Sequence, residues 1–425
     1  MMSTVETLTT LQNQIDDLAD RVESKVIAWR RDIHEHPELG NREFRTAKLV
    51  AEHLRRLGLE VQEQVAYTGV VGLLKGAKPG PVVALRADMD ALPVAEEVDL
   101  PFASKVRTQW NGAEAGVMHA CGHDAHTAIL MGVAEVLTDM RDRISGSVKF
   151  IFQPAEESPP DGEEGGAQLM IKEGVLDNPK VDGIFGLHVT SLIPTDMIGY
   201  RPGPLLASSD EVQITVSGRQ THAGMPWHGV DPIVVSAQIV LGLQTIISRQ
   251  TDITREPAVV TIGSINGGNR SNIIPDNVKM QGTVRAFDED IREDLLERVA
   301  DTCCMIAKSS RAHASVDIRK GYAVTINDAR LTQASVPVLE RIAGRERVFV
   351  MQKVCGSEDF SFFQQKIPGF FFFLGCTAAD KDPHTAAPNH SPRFYVDEAG
   401  MKLGVRSLAT LAIDYLETKR SGTQK

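Results

Sequence analysis

The chain is 425 residues long with a formal net charge of -11, 42% hydrophobic and 24% charged residues, and five cysteines. Its length exceeds the roughly 250–300 residues at which a single core stops growing, so two domains are expected. The acidity argues against nucleic acid or an anionic membrane as partner. An odd cysteine count without CxxC spacing (Cys121, Cys303, Cys304, Cys355, Cys376) points to a reducing, cytoplasmic setting rather than a disulfide framework.

Residues 1–23 are polar and periodic, without the charged start and apolar block of a signal peptide, and no later stretch reads as long and apolar enough to span a bilayer. Leu8, Leu11, Ile15, Leu18, Val22 and Val26 recur at helical spacing, and Ala47, Val50 and Leu54 mark a second helix beyond Pro37 and Gly40. Strand-like runs follow at 70–74 and 82–86, then a helix over 126–140, a strand at 148–152, a helix over 167–173 and a strand at 183–189. This alternation predicts an α/β domain, a mixed or parallel sheet with helices on both faces whose carboxyl ends carry the functional loops. Near Ala207 the pattern changes: strand 211–217, helix 231–249, strands 258–265 and 277–287, helix 289–309 and a strand near 314–318. That β-α-β-β-α-β order predicts an inserted α+β, ferredoxin-like domain over 207–325. The first domain is then discontinuous, 1–206 plus 326–425, with the phenylalanine run inside 369–375 as a central strand.

Metal-ligand residue types stand at the ends of these runs. Cys121 and His123 flank Gly122, which lets a loop bend tightly, although the same segment also reads as a buried free cysteine beside a helix-capping Asp124. Glu156 and Glu157 follow a strand that Pro154 turns out of the sheet; two glutamates there are also common on a solvated edge. His188 closes a strand and His390 sits in Pro-Asn-His-Ser-Pro. Thiolate, imidazole and carboxylate together suit zinc, manganese or a similar divalent ion, with cobalt and nickel open. One glutamate can ligate while its neighbour handles protons, the division of labour that activates water for hydrolysis. His119 and His126 are weaker candidates, and His34 and His36 are assigned to the surface. In the insert, His222 lies in a glycine-flanked turn and is a candidate oxyanion donor, while Asn272 and Arg285 are candidate carboxylate binders, Arg285 in bidentate fashion.

Several segments together resemble a known family: Arg31-Asp-Ile-His-Glu-His-Pro-Glu-Leu39, Leu85-Arg-Ala-Asp-Met-Asp-Ala-Leu-Pro93, His119-Ala-Cys-Gly-His-Asp-Ala-His126, Gln153-Pro-Ala-Glu-Glu157, Thr221-His-Ala-Gly-Met-Pro226, Asn272-Ile-Ile-Pro-Asp276, Gly356-Ser-Glu-Asp-Phe360 and Asn389-His-Ser-Pro392. The family is the dinuclear-metal aminoacylases and carboxypeptidases, in its branch of hippurate hydrolases and indole-acetyl-amino-acid hydrolases. The resemblance implies two divalent ions per subunit held by Cys121, His123, Glu157, His188 and His390, with Glu156 as general base. It also implies an insert that acts as lid and dimerisation domain, in a homodimer or higher homo-oligomer, and a His222 that reaches a neighbouring subunit's site. Where the wider family has His-x-Asp this chain has Arg86-Ala-Asp88, so Asp88 is expected to orient a ligand imidazole rather than bind metal. A second departure is the longer, proline-rich loop after Glu157, which bears on substrate more than on chemistry. The implied activity is hydrolysis of N-acyl amino acids. The alternatives are a dipeptidase or carboxypeptidase on short peptides and a non-catalytic metal-binding homologue.

Overall fold

The helical periodicity of the first 60 residues becomes two helices, Thr4–Glu35 and Phe44–Arg56, which place Ile15, Val26, Val50 and Leu54 in the core. A computed structural model describes residues 4–157 and 159–422, and the side chains of 10–157 and 159–420; the side chain of Leu8, and Ser158, lie outside the described residues. The chain divides into two units. One runs to Gly203 and returns in Asn327–Met351 and from Phe362 onward; the other comprises Pro204–Ile326 and Gln352–Ser361. The short segment 352–361 falls within the sequence-predicted range of the first domain, yet it clusters with the insert. Its backbone is the reason: the amide of Val354 donates to Leu205 O at 3.0 Å, and the amide of Ala207 donates to Gly356 O at 2.9 Å.

The first unit is built on an eight-stranded mixed sheet. Its order is Glu60–Val65, Gly69–Lys75, Ser145–Gln153, Lys78–Asp88, Gly183–Pro194, Gly369–Thr377, Ile198–Tyr200, Val348–Val350. The four central strands are parallel to one another. Gly369–Thr377 is buried at all nine positions and Ser145–Gln153 at nearly all of its own, the pattern of strands covered on both faces. Register aligns Asp88 with Gln153 and Arg86 with Gly186, so the ends of these strands bring Asp88, Glu156 and His188 to one level of the sheet. The strand that carries His188 continues to Pro194, five residues past the expected end.

The second unit carries a four-stranded antiparallel sheet in the order Ala258–Gly267, Asn277–Ala286, Asp210–Ser217, His313–Lys320. Asp210–Ser217 alternates buried and exposed positions, and the buried face packs against helices Pro232–Thr245 and Glu289–Ser309 through Val212, Ile214, Val235, Ile239, Leu243, Leu295 and Val299. This is the ferredoxin-like order expected from the strand and helix sequence. One expectation is corrected. The helical run Pro232–Gln250 is, by length and composition, apolar enough to cross a bilayer. Its inner face is buried on the sheet, while Ile233, Val234 and Leu241 remain exposed.

Candidate metal centre

Three backbone devices deliver the side chains of this centre. Gly122 adopts φ +99° immediately before helix His123–Asp139, and a Cβ there would collide with Val189, so only glycine lets the Cys121–His123 loop press against the His188 strand. Ala155, a non-glycine residue at φ +51°, turns the chain after Pro154 and aims Glu156 and Glu157; such a conformation costs roughly 1–2 kcal/mol unless its surroundings hold it. His390, also left-handed at φ +72°, is pinned where its amide donates to Ala120 O at 2.7 Å, and Asn389 Nδ2 donates to Cys121 O and Val189 O.

The result is a cluster of six donors from four distant segments. Cys121 Sγ lies 3.3 Å from His188 Nε2 and 3.2 Å from His390 Nε2. His390 Nε2 is 3.0 Å from Glu157 Oε1, and His123 Nε2 is 4.0 Å from both Glu156 Oε2 and Glu157 Oε1. Two triads, Cys121–His123–His188 and Cys121–Glu157–His390, each have donor atoms within 4.8 Å of one another, and they share Cys121. Cys121 belongs to both sets, so its side chain would be available to a cation held in either one.

The tautomers are set by the groups behind the rings. His188 Nδ1 donates to Val189 O at 2.7 Å, leaving Nε2 as the lone-pair nitrogen that faces Cys121. His123 Nδ1 donates to Asp90 Oδ1 at 3.1 Å, leaving Nε2 toward the glutamates. His123 Nε2 is a buried polar atom without a hydrogen-bond partner among the described residues, and a cation beside it would satisfy it. The electrostatics agree. Burial opposes protonation of His123, but Asp88 and Asp90 outweigh it and raise the imidazole to about 10, so positive charge is favoured where its ring stands. Burial, then Glu157 and Glu156, push the Cys121 thiol well up; a divalent cation reverses that balance, because a coordinated thiol is deprotonated. Burial pushes Glu157 upward too, yet His390 and His123 hold it below its ordinary value. The donor set therefore fits divalent metal.

Asp88 faces the His123 ring as a charge, but its hydrogen bonds go to other groups. Its Oδ1 accepts from His126 Nδ1 at 2.6 Å and its Oδ2 from Arg86 at 2.5 Å, whereas His123 Nδ1 is 3.8 Å away. Two residues further on, Asp90 holds His123 and also accepts the amide of Glu157 at 2.9 Å. Both aspartates stand in one quoted segment, and only the strand's end at Asp88 separates their directions. His126 is buried as well: its Nε2 accepts the Val189 amide, so its proton sits on Nδ1 and points to Asp88. His34, expected on the surface, is buried because the first helix extends through Glu35 and stacks Arg30 and His34 one turn apart against Asp124. His34 also reaches Glu96 at 3.1 Å. Asp124 serves this ion cluster and caps no helix end. His36 is exposed, as expected.

The remaining candidates lie in the second unit. His222 is exposed and pairs with Ile273 across a two-residue ladder. The Gly224 amide donates to His222 Nδ1 at 3.0 Å, so the neutral ring carries its proton on Nε2 as an outward donor. Asn272 is exposed on the partner strand's approach, its carbonyl accepting the Ala223 amide. Arg285 is half-buried and makes no ion pair among the described residues; its Nη1 donates to Val284 O at 3.4 Å, and burial lowers its pKa.

Comparison with known proteins gives a consistent result. The sequence pattern of the family described as "Peptidase family M20/M25/M40" matches residues 84–414. Thermostable carboxypeptidase 1 of Saccharolobus solfataricus is 43% identical, the match covering 93% of this chain and 96% of the relative. IAA-amino acid hydrolase ILR1-like 4 of Arabidopsis thaliana is 40% identical over 94% of this chain and 87% of its own. Among solved structures, the Bacillus subtilis YXEP protein, described as a dinuclear metal binding peptidase from the M20 family, superposes with a TM-score of 0.78 at 35% identity, covering 94% of this chain and 99% of that one.

Proposed function

We propose that this chain, which belongs to peptidase family M20/M25/M40 and so to a family of metal-dependent amidohydrolases and peptidases, hydrolyses the amide bond of N-acyl amino acids. The observation that carries the proposal is the convergence of Cys121, His123, Glu157, His188 and His390, with Glu156 beside them. Two divalent ions held there, zinc or manganese with cobalt and nickel as alternatives, supply Lewis acidity toward a carbonyl oxygen and lower the pKa of a water. Glu156 accepts the proton from the attacking water and delivers it to the leaving nitrogen. His222 Nε2 donates to the developing oxyanion, and Arg285 with Asn272 receives the substrate carboxylate, consistent with a half-buried guanidinium that has no ion pair of its own.

The N-acyl assignment draws on the relative named as an IAA-amino acid hydrolase. A carboxypeptidase or dipeptidase activity is the second reading, favoured by the 43% identity to a thermostable carboxypeptidase. The discriminating experiment is a panel of N-acetyl, N-benzoyl and indole-acetyl amino acids against dipeptides with a free amino group, using metal-reconstituted protein. Turnover of the acylated set over the dipeptides is expected; the reverse order establishes the peptidase, and no turnover with any divalent ion ends both.

We also propose that the enzyme is a homodimer or higher homo-oligomer in the cytoplasm. The insert offers an apolar helix face at Ile233, Val234 and Leu241, and an edge strand, Ala258–Gly267, with Val259 and Ile265 exposed. Five free cysteines suit a reducing compartment. Light scattering that returns a monomer at micromolar concentration contradicts the dimer.

A further inference from the structure

Glu43 stands at the position where the helix Phe44–Arg56 begins, yet its side chain makes no capping bond. That work falls to Glu38, whose two carboxylate oxygens accept the amides of Arg45 and Thr46 at 2.9 Å each. The Glu43 carboxylate is fully buried and turned elsewhere. Oε1 accepts the backbone amide of Ala155 at 2.8 Å, 112 residues away in sequence, and Oε2 accepts from Thr68 Oγ1 at 2.5 Å. Ala155 is the left-handed residue at which the chain turns toward Glu156. On the other side of Glu156 the amide of Glu157 is held at 2.9 Å by Asp90 Oδ2. Glu156 is thus the middle residue of a tripeptide whose two flanking amides are each gripped by a buried carboxylate.

We propose that Glu43 is a positioning residue for the reaction: by holding the Ala155 amide opposite Asp90 it fixes the strained turn that sets the Glu156 carboxylate. Asp90 also orients His123 and so serves the metal side of the centre. The hydrogen bonds of the Glu43 carboxylate go to Ala155 and Thr68, so it acts on the site through the backbone of 155, with the Asp90 carboxylate as its charged neighbour. A catalytic group displaced by about 1 Å loses on the order of 100-fold in rate, so a single backbone hydrogen bond at this place carries weight out of proportion to its own strength.

The inference rests on Glu156 acting as general base, and the test separates the two. Wild type, Glu43→Ala, Glu43→Gln and Thr68→Val are reconstituted with metal and compared by kcat, KM, metal content and hydrogen exchange of the peptide that contains Ala155. Glutamine keeps an acceptor for the Ala155 amide; alanine does not. For Glu43→Ala, kcat is expected to fall roughly 10- to 100-fold with KM within about twofold and metal content unchanged, while exchange at Ala155 accelerates. Glu43→Gln is expected to restore both kcat and protection to within about threefold, because the accepting oxygen is retained. Should Glu43→Ala not fold, Thr68→Val, which frees only one side of the carboxylate, is expected to show a smaller loss of the same kind. Wild-type kcat and protection in Glu43→Ala overturn the proposal, as does a glutamine variant no better than alanine. If wild type turns over no amide at all, the functional reading fails, and the exchange experiment still decides whether Glu43 holds the turn.

Discussion

Around Cys121, the rings of His123 and His188 each have Nδ1 engaged by an acceptor behind them, and the loop that carries Glu156 is gripped at two amides. The hairpin that carries His222 is different in kind: an exposed ring, one bond to the amide two residues on, and a two-residue ladder. The first region is pre-set before anything binds, because the His123 and His188 rings and the loop of Glu156 are each held by a buried partner. The second keeps an exposed donor with little to hold it. Mutations in the two regions should therefore fail differently: the first through proton transfer or metal affinity, the second through turnover with metal intact.

The sharpest test is Glu156→Gln. It removes the base and leaves the five ligand residues in place, so kcat is expected to fall by about 10² to 10⁴ while elemental analysis finds metal at wild-type levels. Unchanged turnover would remove Glu156 from the mechanism. Next in size is His222→Ala. Loss of one oxyanion donor is expected to cost roughly 10² to 10³ in kcat, again with full metal content. Metal loss in this variant would break the contrast between the regions.

The pair Asp88 and Asp90 sharpens the contrast inside the first region. Asp90→Asn sets an amide NH₂ or a reoriented carbonyl against two donors, His123 Nδ1 and the Glu157 amide, that now share a carboxylate. Metal affinity is expected to drop about 10- to 100-fold by chelator competition. Asp88→Asn disturbs His126 and Arg86, one step further from the metal, and should cost less. The opposite ranking would give Asp88 the larger share in orienting a ligand imidazole.

These residues also show where sequence was informative. Strands and helices with plain periodicity, such as Glu289–Ser309 and the all-buried Gly369–Thr377, were legible because burial on one face or both leaves a pattern in the residues themselves. The six donors were legible because metal chemistry restricts residue type and places them after apolar runs. What sits behind the donors was not. Whether Asp88 or Asp90 meets His123 depends on where a strand ends, and whether His34 is surface or core depends on one extra helical turn that packs it on Asp124. Glu43 carries no local signal at all, because its partner at Ala155 is set by tertiary contact alone. The short strands Ile198–Tyr200 and Val348–Val350 were missed for the same reason: three residues carry too little pattern to be told from loop.

The smallest expected effect concerns the ion cluster under the start of helix His123–Asp139, and it separates folding energetics from catalysis. Burial works to raise the Asp124 carboxyl, but Arg30 and then His34 outweigh it and hold it far below the ordinary carboxylate range. Burial works to lower His34, but Asp124 and Glu96 outweigh it and the imidazole is raised. The two shifts have opposite consequences. Asp124 adds stability above its unfolded value of about 3.9 and loses it as pH falls toward the folded value. His34 adds stability that is complete below about 6.5 and is lost as pH rises through its raised folded value. In chelator, where metal affinity does not intrude, raising the pH from 6 upward should lower the Tm of wild type more than that of His34→Gln, by a difference on the order of a few degrees. Parallel Tm profiles would mean that His34 is neutral in the fold and acts only as a hydrogen-bonding spacer between Asp124 and Glu96. In that case Arg30 alone offsets the Asp124 charge, and Arg30→Met should then destabilise the protein at every pH above the carboxylate range.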